Sequence, residues 1–143
     1  MSSMGGTIVC DVTDPLARQS AAAFAGALSA RLRLRVVLVH VAPGHRSSAE
    51  RTLDAIAREL GTGAETRIAA GAHAEALARV AAEEGADLVV VGARPVGLGG
   101  RNLRWALARE LEAATPVPVV VAPPATRKRS DRRLAVAPDA DTR

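Results

Sequence analysis

Alternating strand and helix signals run through most of this chain, and they predict a doubly wound α/β domain on a parallel sheet. Three observations carry that expectation. Strand-like runs recur at residues 7–12, 35–42, 65–69, 88–91 and 117–122, and amphipathic stretches of helical spacing separate them. The links between them are short and marked by Gly, Pro or capping residues. Two of the runs, Arg35 to Ala42 and Leu88 to Val91, are nearly continuous in their hydrophobicity, as strands covered on both faces are.

Each element has its own punctuation. The first strand is followed by Thr13, Asp14 and Pro15, read as turn, N-cap and first helical residue. Leu16, Ser20, Ala23, Phe24, Ala27 and Leu28 then follow helical spacing. Strand two, Arg35 to Ala42, ends at Pro43 and Gly44. Ser47 with Glu50 has capping-box spacing, and Leu53, Ile56, Ala57 and Leu60 form the stripe of helix two before Gly61. Glu65 to Ala69 alternates polar and apolar residues and suits an edge strand ending at Gly71. Ala74, Leu77, Ala78 and Ala81 mark helix three, closed by Gly85, and strand four should be central because it is wholly apolar. After the Gly-rich segment 92–100, Asn102 can cap a fourth helix with Leu103, Leu107, Leu111 and Ala114 inward. Pro118 cannot donate to a ladder, which puts the last strand, Val117 to Ala122, at a sheet edge.

Size and composition agree. A length of 143 residues suits one domain, and 48% hydrophobic with 24% charged residues is globular composition. The domain is expected over residues 7–124. The segment 125–143 has almost no apolar pattern and is expected to be a disordered basic tail. It holds six of the 19 basic and three of the 15 acidic residues, so the body carries 13 basic against 12 acidic groups. The basic balance of the chain is therefore a property of its end. Arg127, Lys128, Arg129, Arg132 and Arg133 suit nonspecific contact with nucleic-acid phosphates, but without interleaved aromatics a solubilising tail is the simpler reading. No apolar run is long enough to span a bilayer, and residues 1–6 lack a signal-peptide pattern, so a cytoplasmic location is expected.

Three segments together resemble the universal stress protein family. They are TIVCDVTDP at 7–15, VVLVHVAP at 36–43, and GADLVVVGARPVGLGG at 85–100 followed by a helix and TPVPVVVAP at 115–123. The resemblance implies an adenine nucleotide alpha hydrolase-like, Rossmann-like sheet in the order 3-2-1-4-5. A ligand crevice would then lie beyond the strand ends, between strands one and four. It also implies a homodimer through the last strand, Val117 to Ala122, whose apolar edge needs cover.

The nucleotide motif of the family is a glycine, two residues, a glycine, nine residues, then glycine with Ser or Thr. Bare backbone amides and a helix start suit phosphates there. Gly92 matches the first glycine, but Pro95 stands at the second, and Trp105 and Ala106 replace the final pair. Proline has no amide proton, alanine no hydroxyl, and an indole fills phosphate volume. Thr13, followed by Asp14, stands where the family carries its nucleotide-contacting Asp. The leading expectation is therefore a non-catalytic stress-response interaction module, without cofactor, that does not bind ATP in the usual family manner. The alternative is an adenine nucleotide sensor or slow ATPase. In it Thr13, Asp14, Val41, Gly92, Arg94 and Gly97 would hold ATP or AMP in a rearranged loop.

Other chemistry finds little support. His40, His45 and His73 lack ligand spacing and no Cys cluster accompanies them, so no metal site is expected. His40 reads as a satisfied core or crevice histidine, Cys10 as a small buried hydrophobe, and Glu83 with Glu84 as a solvated helix end. No nucleophile elbow, phosphate loop or catalytic acid pair is present.

Overall fold

The computed structural model describes residues 5–42, 46–61, 63–94 and 101–124, with backbone alone at 46 and 101–105. The elements follow in the order β1 (Thr7–Asp11), α1 (Arg18–Leu32), β2 (Arg35–Val41), α2 (Arg46–Leu60), β3 (Glu65–Ala69), α3 (His73–Glu84), β4 (Leu88–Gly92), α4 (Arg101–Ala114) and β5 (Val119–Ala122). All strand pairings are parallel and the sheet order is β3-β2-β1-β4-β5. The predicted fold class and strand order are both present.

Strand alternation divides the core into two layers. Ile8, Cys10, Val12, Val36, Leu38 and Val90 pack beneath α1 and α2 with Ala21, Ala25, Leu53 and Ile56. Val9, Val37, Val39, Val89 and Val91 pack on the other face with Leu77, Val80, Leu107 and Leu111 of α3 and α4. β1 lies between β2 and β4, which is why all five of its residues are buried.

Several boundaries depart from expectation. Asp14 does not cap α1. Its backbone carbonyl accepts the amides of Ala17 and Arg18 in a separate turn, and the helix proper starts at Arg18. The buried face of α1 is Ser20, Ala21, Ala22, Ala25 and Ser29, while Ala23 and Ala27 are exposed, so the predicted stripe is rotated. Ser47 lies inside α2, which begins at Arg46. The last strand is shorter than Val117 to Ala122, because Val117 donates its amide to Thr115 Oγ1 and Pro118 offers only its carbonyl, to the Val89 amide. Ala114 is exposed.

Glu83 and Glu84 are not simply solvated. Arg35 pairs with Glu65 (2.7 Å) and with Glu84, and Arg67 pairs with Glu83 (2.7 Å) and Glu84 (3.0 Å). The hydrogen bonds that Arg35 donates to Glu65 and Glu84 hold its guanidinium above its ordinary pKa, and Arg35 in turn lowers that of Glu65. This network ties β2 and β3 to the C-terminal end of α3, at the end of the sheet away from the strand exits.

Candidate functional site

The carboxyl ends of parallel strands leave backbone groups and loop side chains facing a crevice at the point where the chain reverses its winding direction. Here that point lies between β1 and β4. The polar groups around it fall into three sets.

The first is centred on Asp11, whose side chain is 1% exposed. A buried carboxylate needs donors for its oxygens. Oδ1 accepts the Thr13 amide (3.1 Å) and the Thr13 hydroxyl (2.6 Å), and Oδ2 lies 3.0 Å from Nε2 of His73, the first residue of α3. Thr13 Oγ1 in turn accepts the Val41 amide at 2.9 Å. A continuous chain of hydrogen bonds thus joins the exits of β1 and β2 to the start of α3.

The second set joins the β1–α1 turn to the exit of β4. Arg94 Nε donates to Asp14 Oδ2 at 2.8 Å, with the two side chains 26% and 12% exposed. Asp14 Oδ1 accepts the Leu16 amide at 2.9 Å. One residue earlier, the Ala93 amide donates to buried Ser20 Oγ at 3.0 Å, and that hydroxyl lies 3.0 Å and 3.2 Å from the carbonyls of Ala17 and Ala93. Gly92 sits beneath this turn, where a Cβ would stand 2.0 Å from the Ala17 carbonyl oxygen.

The third set is His40 with Arg18. Arg18 Nη2 reaches the Thr13 carbonyl only at 3.5 Å. His40 Nδ1 and Arg18 Nε are buried atoms without a hydrogen-bond partner among the described residues, so the histidine is not satisfied as the sequence suggests. Burial lowers the His40 pKa, the Arg18 charge lowers it further, Asp11 opposes, and His73 adds to the lowering.

Of the residues singled out from sequence, Thr13, Asp14, Val41, Gly92 and Arg94 come together at these strand ends. Gly97 and Pro95 lie outside the described residues, as do His45 and the tail 125–143. For Trp105 only the helical backbone is described, and Ala106 is exposed on α4. Sequence reasoning missed Asp11, His73, Arg18 and Ser20. Asp11 was detectable as the one charge closing an otherwise apolar strand, whereas His73 and Ser20 acquire meaning only through contacts distant in the chain, and Arg18 through its charge beside His40. No cluster of three or more metal-binding side chains occurs among the described residues. No helix among them is long and apolar enough to cross a membrane. A polar surface groove of about 320 Å³ lies elsewhere, between α2 and β3, lined by Glu50, Leu53, Asp54, Thr66, Arg67 and Ile68.

Chemically, the Asp11 set is not a nucleophile arrangement. In a hydrolase triad the histidine stands between hydroxyl and carboxylate, ready to take the hydroxyl proton. Here the carboxylate stands between Thr13 and His73, and the hydroxyl oxygen also accepts a backbone amide.

The profile of the universal stress protein family matches residues 50–123. No curated protein matches the chain. Among solved structures, a universal stress protein family member from Burkholderia pseudomallei is 25% identical, with a TM-score of 0.66 over 86% of this chain and 99% of that one. A universal stress protein in complex with cAMP is 24% identical, with a TM-score of 0.63 over 84% and 98%. The universal stress protein from Archaeoglobus fulgidus in complex with dAMP is 19% identical, with a TM-score of 0.59 over 85% and 99%.

Proposed function

The chain belongs to the universal stress protein family, and on that premise we propose that it is a non-catalytic stress-response module that works by binding a partner and does not hold ATP in the usual manner of the family. The observation that carries this reading is the internal engagement of the polar groups at the crevice. Val41 gives its amide to Thr13, and the Thr13 hydroxyl is taken by Asp11. The Arg94 guanidinium is paired with Asp14. A ligand seated there has to replace hydrogen bonds that the protein already makes with itself, which removes most of their net contribution to affinity. The altered motif points the same way, since Pro95 and Ala106 lack the groups that phosphates need. The order of Thr13, Asp11 and His73 argues against triad-type acyl transfer at this site.

A second reading, an adenine nucleotide sensor, has one observation in its favour. His40 Nδ1 and Arg18 Nε are buried polar atoms at the strand ends that lack partners among the described residues, and such atoms invite a ligand or a buried water. The relatives crystallised with cAMP and dAMP give it a precedent in proteins of this fold.

Isothermal titration of the purified protein with ATP, ADP, AMP and cyclic AMP decides between the two. The expected outcome is no saturable heat with ATP at micromolar protein. Stoichiometric ATP binding with a micromolar or tighter Kd overturns the proposal, and saturable binding of AMP or cyclic AMP alone favours the sensor.

A further inference from the structure

Arg94 and Asp14 meet across the crevice although 80 positions separate them in the chain. The guanidinium fork fits a carboxylate and a phosphate with nearly the same geometry. Its backbone is anchored independently of the ion pair, because the preceding residue, Ala93, is held by Ser20. Arg94 therefore stands at the exit of β4 whether or not Asp14 engages it. Asp14 is likewise placed by its own turn, through the bond from the Leu16 amide to Oδ1, while Oδ2 accepts the arginine.

We propose that Asp14 is a built-in occupant of an anion position on Arg94, and that a phosphate-bearing ligand reaches this arginine only by displacing the carboxylate. The proposal rests on the reading of the crevice given above. It adds which residue closes it and what chemistry would open it. While the ion pair stands, a phosphate approaching Arg94 also meets the negative charge of Asp14, and the two anions compete for one cation. Removing that charge turns an internally neutralised arginine into an anion receptor. Without the competitor, affinity should rise by roughly tenfold or more, within the usual range of coupling between two occupants of one site.

Asp14→Asn suits the test, because its remaining oxygen can still accept the Leu16 amide while the charge is gone. Asp14→Ser is the second variant, since a hydroxyl preserves the same turn. Both are titrated calorimetrically with AMP and, separately, with inorganic phosphate, beside wild type, Arg94→Gln and Asp14→Asn/Arg94→Gln, after thermal melts show which variants are folded. We expect either Asp14 variant to bind AMP at least about tenfold more tightly than wild type, and the double variant to lose that gain. A parallel gain for inorganic phosphate identifies the phosphate alone as the recognised group, and a gain for AMP only means that the nucleoside contributes. Equal behaviour of the folded Asp14 variants and wild type, including no detectable binding by any of them, overturns the proposal, as does a gain that survives loss of Arg94. Tight ATP binding by wild type would sink the proposed function and leave this comparison of variants intact.

Discussion

At Gly92 the carbonyl of Ala17 lies where a side chain would begin, and Ser20 Oγ stands 2.7 Å from the same point. A methyl group there cannot be absorbed by a rotamer change, because the obstacle is backbone. Gly92→Ala is expected to cost about 1–3 kcal/mol, the usual range for overpacking a rigid site, read as a lower midpoint in urea unfolding with an unchanged slope. The glycine that the family resemblance matches to a phosphate-binding motif thus has a packing role in this chain. His40 supplies the second prediction at this scale. Its pKa is lowered by burial and by Arg18, with Asp11 opposing and His73 adding to the lowering. The fold therefore favours neutral imidazole, whereas the unfolded chain protonates near the ordinary histidine value of about 6.5. The unfolded state binds more protons between those two values, so stability is fully present above about pH 6.5 and declines as the pH falls toward the folded value. Urea titrations of wild type and His40→Asn at about pH 7.5 and about pH 5.5 should show a smaller acid loss in the variant; equal losses would assign the pH dependence to other groups.

At the scale of elements, what sequence could and could not disclose has physical causes. Strands β1, β2 and β4 were legible because strands covered on both faces must be continuously apolar, and α3 because Gly85 stops it in the left-handed conformation, at φ 66°. The face of α1 was not legible. The helix is rich in alanine all round, so periodicity does not select a side, and its orientation is set by how closely its start can approach Gly92. That contact brings small residues, Ala21, Ala22 and Ala25, against the sheet and leaves Phe24 and Leu28 at the margin. The candidate site was half legible for a similar reason. Thr13, Asp14 and Arg94 follow strand ends directly, but the partnership of Asp11 with His73 spans 62 positions and that of Ser20 with Ala93 spans 73. Glu83 and Glu84 lie at a helix end where carboxylates are ordinarily left to water. Here two arginines of neighbouring strands reach them, forming an ion-pair network whose partly exposed members each contribute little alone.

For the whole molecule, the sheet has two unlike edges. β3 carries Glu65 and Arg67, both engaged in ion pairs, which discourages pairing with another strand there. β5 presents Val119, Val120 and Val121, each half-buried, on a strand whose one neighbour among the described residues is β4. We propose that two copies associate along β5. Light scattering coupled to size exclusion is expected to give twice the chain mass for wild type and the single mass for Val120→Lys; a wild-type protein that elutes as a monomer at high concentration would remove this edge from consideration.

The position of Cys10 has one more consequence. Its sulfur lies in the middle strand of the sheet, wholly enclosed, and burial raises its pKa. It is the chain's single thiol. An alkylating reagent therefore meets no reactive thiolate until the layers above and below it separate. The rate of covalent tagging would then count openings of the entire core and stay blind to traffic at the strand exits, giving this molecule an internal clock for its own unfolding.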